Sequence, residues 1–278
     1  MIIWIASYPK SGNTYLRSFI SSYYFSKNGI FKFNDLINIQ QFPNIKFTKL
    51  NNESKEDASK SWIFNQNSFF VKDKTTFLKT HNCLMEYKGN KFTTENETIG
   101  GIYIVRDPRN VITSLTHHYS ISYEQAFNYM KDENASLLQK SRENDHSNFS
   151  YLSSWSNHYK SWIKTKNFEI LFIKFEELEK NKVEVFTKVI NFINKLNKNN
   201  QKINQEKLSN SIKSTNFVNL KNKELTEGFE ESVYSKVTGK KLNFFNLGFN
   251  NRWQKILPDG IKNKMNLLFE KDIKYLGY

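Results

Sequence analysis

The 278-residue chain carries 41 Lys and Arg against 27 Asp and Glu, a formal net charge of +14, and 15% of its residues are aromatic. So many rings on so charged a chain exclude disorder, because 24 Phe and 14 Tyr must be buried somewhere, and the length suits one folded domain, 1–278. No apolar stretch approaches the roughly 18 residues of a membrane helix, and the apolar run over residues 1–6 is one strand long; neither anchor nor signal peptide is expected, and the expected location is cytoplasmic.

The first predicted element is a strand over residues 2–6, apolar throughout, as a strand buried on both faces is. A polar loop follows, and then Leu16, Phe19, Ile20, Tyr23 and Tyr24 recur at helical spacing. The loop reads Ser7-Tyr8-Pro9-Lys10-Ser11-Gly12-Asn13-Thr14-Tyr15. A loop between strand and helix aims backbone N–H groups and the positive end of the helix dipole at one point, and here a lysine and hydroxyls stand beside that point. Phosphate or sulfate is the natural occupant. It is not a Walker A loop, because the lysine precedes Ser-Gly instead of following the last glycine, an order that suggests a shorter phosphate tail and no obligatory metal.

Residues 26–75 are polar, dotted with aromatics and less regular, and with residues 195–250 they are expected to supply lids and acceptor-pocket walls. A second strand is predicted over residues 76–80. Side chains alternate along a strand, so Lys79 and His81 share one face, bringing a cation beside a side chain suited to taking a proton near neutral pH. Cys83, the single cysteine, excludes an internal disulfide and a cysteine-based structural zinc site.

Gly100-Gly101 is expected to turn into a strand over residues 102–105, after which Asp107-Pro108 supplies an N-cap and a proline at the first helical position. Arg106 ends that strand and Ser114 lies about two turns into the helix, so an arginine suited to bidentate phosphate binding and a directed hydroxyl face the crevice of the first loop. A further strand is predicted over residues 170–173, followed by a helix with Val185, Phe186, Val189, Ile190 and Ile193 on one side. With no repeat and no flexible linker, the alternation reads as an α/β domain with a central, mainly parallel sheet flanked by helices and ligands at the strand carboxyl ends.

Together these segments resemble the cytosolic-type sulfotransferase family, which moves a sulfuryl group from 3′-phosphoadenosine 5′-phosphosulfate (PAPS) to a hydroxyl or amine. The resemblance covers most of the chain. Tyr8 to Thr14 is similar to the family's 5′-phosphosulfate loop, Arg106 with Ser114 to the pair that holds the 3′-phosphate, and Lys79-Thr80-His81 to Lys-Thr-His, whose histidine is the catalytic base. Trp155-x-x-His158-x-x-x-Trp162, Phe175-Glu176-Glu177-Leu178 and Thr215-Asn216-Phe217 agree as well.

The resemblance implies PAPS as donor, 3′-phosphoadenosine 5′-phosphate (PAP) as product and no metal. It implies Lys10, Ser11, Gly12, Asn13 and Thr14 around the 5′-phosphosulfate, adenine between Tyr15 and Phe217, and Phe175, Thr215 and Gly248 near the donor. His81 would accept the acceptor's proton while Lys10 and Lys79 neutralise charge on the transferring group. His158 and the tryptophans are expected to be structural, and His117 and His118 to pack the helix or line the crevice.

The chain departs from the pattern at three places. Tyr15 stands for the usual Trp, Phe175 for the usual Tyr, and Asn246-Leu247-Gly248 for the Arg-Lys-Gly whose arginine adds a second grip on the 3′-phosphate. Lys236, Lys240, Lys241 and Arg252 are the candidates to replace that cation.

The implied partner is a small-molecule or carbohydrate acceptor, with no nucleic acid and no membrane. Aromatic clusters at Trp62, Phe64, Phe69 and Phe70, and at Phe229, Tyr234, Phe244 and Phe245, suit a phenol, a sugar face or an apolar alcohol alike, and no lysine-centred dimer motif fixes an oligomeric state. Two other classes remain. A P-loop kinase would use ATP with Mg²⁺, against which stand the displaced lysine and the lack of an Asp ending the 102–105 strand. A non-catalytic basic module would cluster its arginines, yet only five of the 41 basic residues are Arg, and 36 Lys beside 36 Asn read as compositional bias on the surface. A sulfotransferase fold with a degraded donor site is a third reading, motivated by Asn246.

Overall fold

Strand β1 (Ile2–Ala6) is apolar at every position because both of its faces are covered: Ile2, Trp4 and Ala6 enter one core layer, Ile3 and Ile5 the other. The computed structural model describes residues 1–70, 73–138, 142–235 and 238–278. After β1 come helix α1 (Asn13–Phe25), the short β2 (Gln40–Gln41), α2 (Lys55–Phe69), β3 (Thr76–Thr80), β4 (Thr98–Val105), α3 (Pro108–Tyr119) and α4 (Tyr123–Lys131). A small antiparallel pair, β5 (Ser136–Leu137) and β6 (Ser150–Tyr151), precedes α5 (Trp155–Ile163), β7 (Glu169–Lys174), α6 (Phe175–Lys180) and α7 (Lys182–Leu196). The chain closes with α8 (Gln205–Ser214), α9 (Phe217–Glu227), the antiparallel pair β8 (Val233–Tyr234) and β9 (Lys241–Leu242), and the short α10 (Trp253–Ile256), α11 (Asp259–Leu268) and α12 (Glu270–Leu276). None of the described helices is long and apolar enough to cross a membrane.

Five strands form one sheet in the order β2-β3-β1-β4-β7, and every neighbouring pair is parallel. Parallel strands return by crossovers, so all their carboxyl ends open on one edge, where an α/β sheet binds ligands. The register fixes what meets there. Ala6 pairs with Thr80 on one side and Tyr103 on the other, and Tyr103 pairs with Phe172, so the residues that follow β1, β3, β4 and β7 emerge side by side.

Two expectations change. Gly100 and Gly101 lie inside β4, not in a turn before it; a Cβ at Gly100 would stand 2.5 Å from Leu196 Cδ1, so the missing side chain is what lets α7 pack against the strand. Segments 26–75 and 195–250 are also more regular than expected, containing α2, α8 and α9. Helix α2 escapes a periodicity search because its buried face is half polar: Ser59, Ser61, Asn65 and Gln66 are buried beside Ala58 and Trp62, and the Gln66 amide donates to Phe92 O at 2.6 Å. Trp62 stacks on Phe149 in the core, and Phe69 and Phe70 pack on Phe47. Trp62, Phe69 and Phe70 are therefore packing, and Phe64 is exposed.

Candidate active site

The loop from Ser7 to Gly12 carries the chain from β1 into α1. Gly12 is the N-cap, held at φ 102°, where a Cβ would also collide with the Phe175 ring; only glycine serves both demands. No side chain caps this helix, so its first N–H groups face the cavity without an intrahelical partner. Lys10 adopts φ 65°, an uncommon conformation for a residue with a side chain, which fits a position shaped by function. Asn13 ties the loop down, its amide donating to Ile5 O at 2.9 Å.

A cavity of about 700 Å³ opens above the strand ends. Lys10, Gly12, Asn13, Thr14 and Tyr15 line it from the loop and α1, Lys79 and His81 from the end of β3, and Arg106 and Ser114 from β4 and α3. Phe175, Phe217 and Gly248 complete one wall; His117 and His118, in the last turn of α3, also line the cavity. Thus the sequence motifs converge on one place.

Two expected residues do not line it. Ser11 is buried behind the loop, its hydroxyl without a hydrogen-bond partner among the described residues. Thr215 is fully buried at the C-cap of α8, its hydroxyl donating to Ser211 O at 2.6 Å; it ends a helix and does not reach the cavity.

His81 follows the last residue of β3, and its Nδ1 lies 2.8 Å from Ser7 O. A carbonyl only accepts, so Nδ1 carries the proton and Nε2 is left with its lone pair. Burial first, and then the neighbouring Lys79 ammonium, push the imidazole pKa down to about 3, so the ring is neutral at physiological pH. His158 has the complementary arrangement: Nε2–H donates to His81 O at 2.9 Å and Nδ1 accepts from Tyr103 Oη at 2.8 Å. Trp162 Nε1 donates to Asn82 O at 3.0 Å. His158 and Trp162 thus support the backbone of the His81 turn, while Trp155 packs against Tyr159 and Phe269 in the core.

Arg106 lies between the loop and residue 248. Its Nη1 donates to Lys10 O and Ser114 Oγ at 3.2 and 3.3 Å, its Nη2 to Gly248 O at 3.1 Å, and the guanidinium stacks 4.3 Å from the centre of the Phe175 ring. Its buried Nε has no partner among the described residues. Burial lowers its pKa to about 10, which leaves it charged. Glu176 accepts from Asp107 N at 3.1 Å, which explains the Glu of the Phe175-Glu176 motif: it holds the turn that carries Arg106.

Three groups went unnoticed at the level of sequence. Phe249 sits between the expected adenine-stacking rings, 6.0 Å from Tyr15 and 6.4 Å from Phe217, and stacks on Phe175. Lys221 on α9 donates to Asn246 O at 3.3 Å, at the position of the missing arginine, although Lys221 itself is not among the residues that line the cavity. Lys240, Lys241 and Arg252 are exposed and line no part of the cavity, and Lys236 lies outside the described residues. Finally, Glu231 accepts from Arg17 Nη2 at 2.7 Å, Lys79 Nζ at 3.1 Å and Thr14 Oγ1 at 3.0 Å. No periodicity or motif marks Glu231, which stands in a run of charged residues that reads as solvated surface.

Of the second aromatic cluster, Phe244 and Phe245 line the cavity, with the Lys10 ammonium 3.8 Å from the centre of the Phe244 ring. Phe229 is buried against them, and Tyr234 is 68% exposed.

An uncapped helix start, two lysines and an arginine at the carboxyl edge of a parallel sheet define an α/β protein shaped to hold a multiply charged anion. Comparison supplies the family. A model of the sulfotransferase domain matches residues 2–277, and the chain belongs to that family. It is 23% identical over 229 residues to the luciferin sulfotransferase of Photinus pyralis, a match covering 79% of this chain and 56% of that protein, so the chain spans only about half of that relative's length. It is 20% identical over 278 residues to the amine sulfotransferase of Oryctolagus cuniculus, covering 98% of this chain and 80% of the relative. A mouse sulfotransferase crystallised with PAP shares the fold at a TM-score of 0.61 and 20% identity, over 98% of this chain and 84% of that one. A retinol dehydratase in complex with androsterone and PAP does so at 0.62 and 15%, over 98% and 80%.

Proposed function

We propose that the protein is a PAPS-dependent sulfotransferase that transfers a sulfuryl group to a hydroxyl or amine of a small-molecule or carbohydrate acceptor. The observation that carries this reading is His81: its protonated Nδ1 is engaged by Ser7 O, leaving Nε2 as a proton acceptor in a cavity that also holds Lys10 and Lys79. The curated relatives are named for small acceptors, luciferin and amines, which favours the small-molecule class.

PAPS would place its 5′-phosphosulfate at the start of α1 and its 3′-phosphate at Arg106 and Ser114, with the adenine among Tyr15, Phe217 and Phe249. The acceptor oxygen or nitrogen would form a bond to sulfur as the bond from sulfur to the bridging oxygen breaks. The acceptor's proton passes to His81 Nε2, and the leaving PAP phosphate keeps the electron pair, its charge offset by Lys10 and Lys79. A thermal-shift comparison tests the reading. PAP is expected to raise the melting temperature, and stabilisation by ATP with Mg²⁺ but not by PAP would overturn it. A screen of acceptors with labelled PAPS then identifies the substrate.

Lys10 gives the donor a distinctive pH dependence. Burial lowers its pKa to about 7, with Glu231 opposing that shift, so near neutrality the free site is partly deprotonated. An anion favours the ammonium form, so binding above pH 7 takes up a proton and PAP affinity is expected to fall by as much as about tenfold per pH unit between 7 and 9. Calorimetry across that range reads the effect directly. Lys10→Met should flatten the profile, and a flat profile in the unsubstituted protein would refute it.

Lys221 is the candidate second cation for the 3′-phosphate. Lys221→Met is expected to weaken PAP several-fold while sparing adenosine 5′-phosphosulfate, which lacks that phosphate; equal loss for both ligands in a binding assay would remove Lys221 from this role.

A further inference from the structure

Glu231 is the most heavily paired carboxylate in the cavity. One oxygen bridges two buried cations, Arg17 and Lys79, and the other takes the Thr14 hydroxyl. Burial alone would push its carboxyl up, but Arg17 and Lys79 outweigh that and hold it well below the usual carboxylate range, so it stays ionised. Arg17 is 5% exposed, and its Nε has no partner among the described residues. Thr14 belongs to the phosphosulfate loop, and Lys79 stands beside His81.

We propose that Arg17 is a third cation for the 5′-phosphosulfate end of the donor and that Glu231 is an internal anion that holds this position until the donor displaces it. The inference rests on the function proposed above. A carboxylate bound to Thr14, Lys79 and Arg17 marks where this fold accommodates an anion, and a phosphosulfate cannot use the same three donors while Glu231 does. Glu231 lies between α9 and β8, in a stretch also tied down by Glu224, which accepts from Ser232 Oγ at 2.6 Å, from Phe244 N at 2.6 Å and from Phe245 N at 2.8 Å. The Ser232 tie anchors the residue next to Glu231, so the proposed release is a local movement at residues 230 and 231. One anion leaves two buried cations as another arrives, so neither cation is left unpaired, an outcome that would be costly.

The test is PAP binding by calorimetry to the unsubstituted protein, Glu231→Gln, Arg17→Met and the double variant, with adenosine 3′-monophosphate as a ligand lacking the 5′ anion. A carboxylate that holds the position in nine-tenths to ninety-nine hundredths of molecules lowers apparent affinity about 10- to 100-fold. Glu231→Gln is therefore expected to tighten PAP by about that factor and leave the 3′-monophosphate unchanged. In the Glu231→Gln background, Arg17→Met is expected to weaken PAP about tenfold. If Arg17 and Glu231 are only a clamp for the segment, Glu231→Gln weakens PAP or leaves it unchanged, and the added Arg17→Met has no further effect; either result overturns the proposal. Should Glu231→Gln not fold, Glu231→Asp shortens the reach to all three donors and is expected to tighten PAP to a smaller degree, no tightening being adverse. Absence of PAP binding by every variant overturns the proposed function, whereas binding without tightening overturns this inference alone.

Discussion

Replacing His81 by alanine is expected to lower kcat by about 10²- to 10⁴-fold while leaving PAP affinity within about threefold, the range a positioned general base contributes. The imidazole touches the loop through Nδ1, and in the proposed mechanism its other nitrogen takes the acceptor's proton. Steady-state kinetics and calorimetry on a folded variant separate the two quantities, and a matching loss in both would remove the base assignment. The pH profile gives a second check. Because burial and Lys79 lower the His81 pKa to about 3, its protonation does not limit turnover between pH 5.5 and 8. Loss of activity at low donor concentration belongs on the alkaline side, through Lys10. An acid limb near 6.5 that disappears in the alanine variant would contradict this.

Arg106→Ala is expected to weaken PAP by about 10²-fold or more, since hydrogen bonds to charged groups contribute about 1.5–3 kcal/mol each and the guanidinium offers two or more to a phosphate. Adenosine 5′-phosphosulfate, lacking the 3′-phosphate, separates ligand contact from support of the loop, because Arg106 also holds Lys10 O and Gly248 O. Loss confined to PAP assigns the 3′-phosphate to Arg106. Equal loss for both ligands makes Arg106 a brace, and an unchanged PAP affinity puts the phosphate elsewhere. Arg106→Lys keeps the charge without the planar fork and should fall between.

Legibility in the sequence followed the distance over which each feature is encoded. Strands β1, β4 and β7 were readable because their apolar runs are local, β3 as a short strand candidate, and the loop, Lys79, His81, Arg106 and Ser114 because each sits in or at a fixed step from a strand. Helix α2 was hidden because many of its core-facing positions are polar: Ser59, Ser61 and Asn65 donate within the helix, and Gln66 to the distant Phe92 O. Glu231 and Arg17 are 214 positions apart in sequence, and nothing in either neighbourhood reveals that they meet. Thr215 shows the opposite error: a residue carried over by resemblance whose hydroxyl is already used by Ser211 O.

The partner that sets the His81 tautomer is a main-chain carbonyl, Ser7 O, held opposite by the pairing of Ala6 with Thr80. A backbone acceptor cannot be deleted by exchanging its side chain. The protonation pattern of the His81 ring is therefore robust to drift at position 7, unlike triads whose orienting carboxylate a single codon change can abolish. The tautomer itself can be changed only at residue 81, or by shifting two strands relative to each other, which would dismantle the core as well.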